Sequence, residues 1–351
     1  MMTKTKHHHT EQYGAERRTL TRWIAGTFAM AALAAVKPAS AQAPIVIQFS
    51  HVVTADTAKG KAALRFKELA ESRTGGKVRV EIYPNSQLYK DREELDALRL
   101  GAVQMIAPSL SKLASLSGGD FEVFDLPFLF KDRVAFRAVV DGPVGTSLLK
   151  KLEPHGVKGL AFWDNGFKVF SANRPLQWID DFKALKVRVQ ASKVLVTQMT
   201  TLGAQASVGP LTSVYEALRS GQLDGQENTP INIETQRLHE VQRHLTVSNH
   251  GYLAYAVIVN KPFWDKLPSD IRTALEGAMR DASTYENSIA GAENTKALER
   301  IKTSGKLTVH TATPQELEQW RTALRSVYKD AQGWISTETL TALNALNGPP
   351  P

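Results

Sequence analysis

Arg188 lies in Lys186-Val187-Arg188-Val189-Gln190, where apolar and polar residues alternate with the period of a strand. A guanidinium fixed on a strand presents a rigid fork of donors that grips a carboxylate through two parallel hydrogen bonds. A lysine ammonium does not reproduce that geometry. Further along, Asp224-Gly225-Gln226-Glu227-Asn228-Thr229 reads as a polar turn closing a strand-like run. Asn228 could complete a carboxylate's shell there, although a turn asparagine is more often a turn former and nothing else. Spacing alone leaves two readings of Arg188: a clamp for a ligand carboxylate, or the partner of an internal acid such as Asp224.

Other candidates gather at the ends of predicted strands. Lys59 falls in the first turn of a helix that follows His51-Val52-Val53, where free N–H groups and the helix dipole favour an anion. A lone lysine is also commonly an exposed surface residue. His51 ends the first strand and suits either a donor facing a cleft or a packed side chain. Ser109 follows the apolar run 103–107, and Asn165 follows a run ending at Trp163; α/β sheets place ligands at strand C-termini. Ser192 lies just beyond Gln190. Asn249 and His250 sit at a predicted crossing between lobes, equally suited to contact a ligand or to form a hinge. Phe167 and Tyr215 fit a cavity wall or plain core.

Enzyme signatures are missing from the sequence. It has no G-x-S-x-G elbow, no H-E-x-x-H, no glycine-rich phosphate loop after a strand and no cysteine. His239 and His244 are five apart, which misses the same-face spacing of a helical metal pair. No cofactor and no metal is expected.

The elements that must position these residues alternate between strand and helix. Ile45 to Phe49 reads as a strand, and Asp56 or Thr57 can cap a helix that buries Ala62, Phe66, Leu69 and Ala70. Val78, Val80 and Ile82 alternate with Lys77, Arg79 and Glu81. A helix at about Arg92–Leu100 leads to the strand at 103–107. This β-α-β-α-β opening predicts a mainly parallel sheet covered by helices. A second α/β unit starts after Gly166, with a strand at Lys186–Val189 and a helix at Thr212–Ser220. Val257-Ile258-Val259 then returns to the first sheet. A long helix is expected from Ser269 to Thr303, and Thr313-Pro314-Gln315-Glu316 opens another with a capping box. The predicted fold is α/β, two lobes around a hinged cleft. Residues 42–165 with about 251–268 form lobe one, 166–250 form lobe two, and the helical region 269–351 packs on both.

Residues 1–41 read as a removable export signal. Arg17, Arg18 and Arg22 precede the apolar run from Trp23 to Val36, followed by the small residues Ala39-Ser40-Ala41. Arg17-Arg18 looks somewhat like a twin-arginine signal, and a general secretory signal fits as well. The segment holds six of the 43 basic and two of the 35 acidic residues, so its removal lowers the net charge from +8 to +4. No dense basic tract remains, which argues against a nucleic-acid partner and suits a small anion. With no cysteine, an exported chain must rely on its core instead of disulfides.

Several short motifs occur in order: Phe49-Ser50-His51-Val52-Val53, Tyr83-Pro84-Asn85-Ser86-Gln87-Leu88, Asp125-Leu126-Pro127-Phe128-Leu129-Phe130, Val214-Tyr215-Glu216-Ala217-Leu218 and Ser248-Asn249-His250-Gly251. Together with Arg188 and Asn228 they resemble the substrate-binding proteins of TRAP transporters (tripartite ATP-independent periplasmic). The run from Phe49 through Lys59-Gly60 looks like the four-carbon dicarboxylate (DctP-type) branch. The resemblance implies a periplasmic, monomeric protein of the two-lobed periplasmic-binding-protein type. It also implies an Arg188–Asn228 carboxylate clamp, with Lys59 and His51 holding a second carboxylate of succinate, fumarate or malate. Its partners would be a small and a large integral membrane permease subunit, and its hinges Asn165-Gly166 and Asn249-His250-Gly251. A metal bridging the ligand occurs in parts of that family, and nothing here demands one. Thr229 is followed by Pro230 where close relatives often carry a bulky aromatic, which puts a different side chain near the cavity wall. Two alternatives stay open: a monocarboxylate ligand (a 2-oxo acid, aromatic acid or sugar acid), or a periplasmic ligand-sensing module.

Overall fold

A computed structural model describes residues 43–347. The expected export signal and the terminal prolines lie outside the described residues. The strands are β1 (Ile45–Ser50), β2 (Val78–Tyr83), β3 (Met105–Ile106), β4 (Val157–Phe167), β5 (Val169–Ala172) and β6 (Lys186–Val189). After them come β7 (Gln205–Val208), β8 (Gly225–Asn228), β9 (His244–Val247), β10 (Tyr252–Asn260) and β11 (Thr308–Thr311). The helices of the first half are α1 (Ala58–Arg73), α2 (Glu93–Arg99), α3 (Arg133–Val140), α4 (Pro143–Lys150) and α5 (Lys193–Thr201). The remainder are α6 (Val214–Arg219), α7 (Pro230–Thr235), α8 (Lys261–Asp265), α9 (Ser269–Thr303), α10 (Pro314–Ala331) and α11 (Thr337–Asn347).

Two mixed sheets result, one in the order β2-β1-β3-β10-β4 and the other β11-β9-β5-β8-β6-β7. In the first, β2 shows period-two burial: Val78 and Val80 are inside, Lys77 and Arg79 outside. In the same sheet β10 is buried along its whole length between β3 and β4, which its near-continuous apolar sequence permits. Thr57 caps α1 by accepting the Gly60 N–H at 3.1 Å. A Cβ on Gly60 would lie 2.5 Å from the Ala55 carbonyl oxygen, so only glycine lets the chain pass there. The buried face of α1, Ala62, Ala63, Phe66 and Ala70, meets Leu275, Ala278, Met279 and Ala282 of α9 in one apolar core. Farther along α9, Ile301 joins a different core with Val169, Leu245 and Leu307. One helix thus packs on elements of both sheets, and its small residues let it lie close.

Three details depart from the sequence pattern. The run 103–107 pairs as a strand only at Met105–Ile106. The helix read at Thr212–Ser220 begins as a 3-10 turn at Leu211–Ser213. The C-terminal region, expected to be helical, carries β11, which adds a parallel edge to β9 and tucks Leu307 inside. Four residues of alternating Thr and Val or His are too short a pattern to read as a strand without the edge they complete.

The chain passes between the sheets from β4 to β5 at Lys168 and back from β9 to β10 at residues 248–251. These crossings share a buried ionic cluster. The Lys168 N–H donates to the Gly251 carbonyl at 2.8 Å, and its ammonium lies 2.9 Å from Glu227 and 3.9 Å from Asp125. His250 stacks on Phe170 with ring centroids 4.0 Å apart, and its Nε2 is 3.5 Å from Glu227. Burial raises the Glu227 carboxyl, but Lys168 and His250 outweigh it and hold the group at about 2. Removing one partner of such a cluster strands the others. Lys168→Met is therefore expected to cost about 3–5 kcal/mol in chemical denaturation, where an exposed ion pair would cost under about 1. Because the folded value of Glu227 is depressed from 4.5 to about 2, its contribution is present above about 4.5 and is lost as pH falls through about 2. Wild-type protein should lose that increment on acidification and Lys168→Met should not; matching acid profiles would disprove the assignment.

Candidate functional site: a donor-lined cavity between the lobes

In β6, Val187 and Val189 turn into the core and Arg188 takes the opposite face. Its Nε and Nη2 both donate to the Gly209 carbonyl, at 2.9 and 2.7 Å, leaving Nη1 without a partner among the described residues. Arg188 is only 4% exposed, and no carboxylate among the described residues lies within ion-pair distance of it. Asp224, the internal partner that spacing left open, instead accepts the Lys186 N–H at 2.8 Å. Burial pushes the guanidinium pKa down, and the more distant Asp91 and Glu227 push it back up.

Asn228 shares the face of Arg188, because Arg188 pairs in register with Gln226 and side chains two apart on a strand point the same way. The segment read as a polar turn is in fact the buried strand β8, with Asn228 its last residue. Gly225 makes this possible, since a Cβ there would sit 2.7 Å from the Ser171 carbonyl of the neighbouring strand. The Asn228 Oδ1 accepts the Thr229 N–H at 2.9 Å and the Asn232 Nδ2 at 2.8 Å, so its NH2 group is the end left uncommitted. Pro230 is the first residue of α7, where a fixed φ starts a helix well. That turn brings Asn232 back onto Asn228. Pro230 serves helix initiation, and is not among the residues lining the cavity.

The opposite wall comes from the first sheet. The Tyr255 hydroxyl on β10 accepts from Asn165 at 2.5 Å and from Asn232 at 3.5 Å, so its own proton is free to be donated. Burial pushes its pKa up to about 12, which keeps it a neutral donor. Ser109 accepts from the Gln190 Nε2 at 2.7 Å, a bond between the lobes that likewise leaves a hydroxyl proton free. A second link between the lobes runs from the Leu211 N–H to Asp91 at 2.6 Å. Asp91 is ion-paired with Lys112, whose ammonium also lies 3.4 Å from Glu94. Arg188, Asn228, Asn232, Tyr255, Ser109, Gln190, Asp91 and Lys112 all line one small cavity, closed by Val52, Val53, Leu211 and Leu253.

The sequence-predicted residues divide accordingly. Arg188, Asn228 and Ser109 meet at the cavity, and Asn165 stands one bond away behind Tyr255. Asn165 lies inside β4, which continues past Trp163 to Phe167. Lys59 is not at the wall. Its ammonium donates to the Ala107 carbonyl at 2.9 Å and sits 3.6 Å from the centre of the Tyr255 ring, so it acts on the cavity through that ring. Burial lowers Lys59 to about 7 against the pull of Glu94, and burial raises Glu94 to about 7. His51 is fully buried with neither ring nitrogen hydrogen-bonded, and burial and then Lys59 drive its pKa to about 3. It is a neutral packed ring, not a cationic donor. Ser192 caps α5 by accepting the Leu195 N–H. Asn249 is exposed in a left-handed conformation, φ 50°, and borders a separate cavity that Phe167 also lines. Tyr215 packs on an apolar core.

Five cavity residues escaped the sequence reading. Gln190 was within reach, two residues past Arg188 on the same strand face, and so was Asn232, one helical turn past Asn228. Tyr255, Asp91 and Lys112 carry no local signal, because their meeting depends on the pairing of distant elements. Among the described residues no group of three or more His, Asp or Glu side chains could hold a metal ion.

Comparisons with known proteins identify the family. A family profile described as bacterial extracellular solute-binding protein, family 7, matches residues 49–333. The C4-dicarboxylate-binding periplasmic protein of Rhodobacter capsulatus is 55% identical over 329 residues, 93% of this chain and 98% of its own length. A TRAP periplasmic solute-binding protein from Shewanella oneidensis, solved with bound succinate, is 40% identical with a TM-score of 0.85, over 87% of this chain and all of that one. Another from Pseudomonas aeruginosa, solved with L-malate, is 42% identical with a TM-score of 0.80, over 82% of this chain and all of its own. The chain belongs to the family 7 extracellular solute-binding proteins, the DctP family of TRAP transporters.

Proposed function

We propose that the protein captures a four-carbon dicarboxylate such as succinate, fumarate or malate outside the cytoplasmic membrane and delivers it, without turnover, to a permease of one small and one large integral membrane subunit. One observation carries this reading: Arg188, Asn228, Tyr255, Ser109 and Lys112 line a single cavity with donors to spare, while their own acceptor atoms are already engaged or absent. Such a set of donors fits an anion. The relatives whose printed names or bound ligands are C4-dicarboxylates support the choice of anion. Arg188 and Asn228 take one carboxylate from the second lobe. Tyr255, with Lys59 behind its ring, and Ser109 contribute from the first. The basic, apolar and small-residue order of residues 1–41 supports export.

Calorimetry with succinate tests the clamp. Arg188→Ala is expected to weaken binding by about 2–5 kcal/mol, the scale for breaking a desolvated charge pair. Arg188→Lys should lose a substantial part of that, since it keeps the charge and drops the fork. Near-native affinity in the alanine variant would rule the clamp out.

Lys59 and Glu94, both placed at about 7, give the site a pH dependence of definite sign. Below that value Lys59 is charged and Glu94 neutral, so the field favours a dianion; above it the positive charge is lost and a negative one appears. Affinity for succinate should fall as pH rises through about 7, measured where the ligand stays dianionic, with net proton uptake on binding in buffers of differing ionisation enthalpy. Lys59→Met should flatten the profile. A pH-independent affinity with no proton uptake would exclude this coupling.

A further inference from the structure

We propose that Lys112, oriented by Asp91 and Glu94, is the group that takes the ligand's second carboxylate. This inference rests on the dicarboxylate reading above. The sequence points to Lys59 for that role, but its ammonium is engaged by the Ala107 carbonyl and the face of Tyr255, outside the cavity lining. Lys112 lines the cavity itself, and its side chain is 8% exposed. An ammonium has three protons. Asp91 and Glu94 take two, which fixes the direction of the third. The two acids keep the ammonium charged despite its burial.

A continuous chain of bonds also joins Lys112 to the clamp. Arg188 is held by the Gly209 carbonyl, and two residues on the Leu211 N–H donates to Asp91, which pairs with Lys112. These bonds tie the two carboxylate stations to one another across the cleft while the lobes are in contact. A diacid of matching length reaches both, and a monoacid of the same length reaches one.

The test compares dissociation constants for succinate and butyrate in wild-type protein, Lys112→Met and the double variant Asp91→Asn/Lys112→Met. The single change strands buried carboxylates and could unfold the protein. The double variant removes the Asp91 charge with that of Lys112, while the introduced amide oxygen still accepts the Leu211 N–H. In it, succinate affinity should fall on the order of 100-fold and butyrate affinity by less than about threefold. If the double variant keeps the wild-type preference for succinate over butyrate, or loses both ligands equally, Lys112 is not the second station. If wild-type protein does not bind succinate at all, or Arg188→Ala binds it unchanged, the dicarboxylate reading itself fails and takes this inference with it. Intact succinate binding that depends on Arg188 but not on Lys112 overturns the inference alone.

Discussion

Taking a guanidinium out of water costs several kcal/mol unless an anion and good hydrogen bonds compensate. At Arg188 the fold supplies the hydrogen bonds, from the Gly209 carbonyl, and withholds the anion. Much of the second lobe follows from holding a charge in that condition. Val187 and Val189 anchor the strand on both sides of it, β7 and β8 flank it in parallel, and the Asn228–Asn232–Thr229 network fixes a second donor on the same face. Asp91 and Glu227 lie near enough to keep the guanidinium charged, but both are tied to lysines, Lys112 and Lys168. The protein's acids thus sustain the charge without filling its fork.

The same economy of pairing governs the hinge. Lys168 and His250 occupy the two crossings between sheets, and Glu227, beside Asn228 in β8, sits between them. Adjacent residues of a strand face opposite ways, so Asn228 looks toward the cavity while Glu227 looks toward the crossings. A displacement of β8 therefore acts on the cavity wall and on the crossings together. The aromatic stack of His250 on Phe170 and the contact of α9 with both cores limit how such a displacement is accommodated.

What the sequence disclosed and what it concealed divide along physical lines. Period-two alternation located β2 and β6, capping chemistry located α1 and α10, and the extent of α9 could be read from the helical pattern and Ala-rich face that follow Pro268. Arg188 was conspicuous as a guanidinium on a predicted strand, whereas Asn228 stood in a segment that read as a turn and drew attention only through the family resemblance. Lys59 and His51 turn away from the cavity. His51 follows β1 and Lys59 lies in the first turn of α1, but the side chains they meet, Tyr255, Ala107 and Phe49, come together only as β1 pairs with β3 and β3 with β10. Lys112 and Asp91 stand 21 residues apart on a 3-10 segment and a loop, where no periodicity connects them. Tyr255 is one of nine buried residues of β10, indistinguishable from core by pattern.

Closure of the cleft brings these parts to account. Inside the cavity wall the lobes touch through Gln190–Ser109, Leu211–Asp91 and Asn232–Tyr255. A neutral bond of this kind contributes about 0.5–1.5 kcal/mol and a charged one about 1.5–3. A ligand that contacts one lobe binds both arrangements nearly alike and shifts nothing. One that spans Arg188 and Asn228 on one side and donors of the first lobe on the other makes its full set of bonds only when the lobes meet, and that difference in affinity is what moves the population. Lobes that held each other firmly would stay shut whatever was bound, so capture of this kind works only where the ligand's own bonds decide the balance.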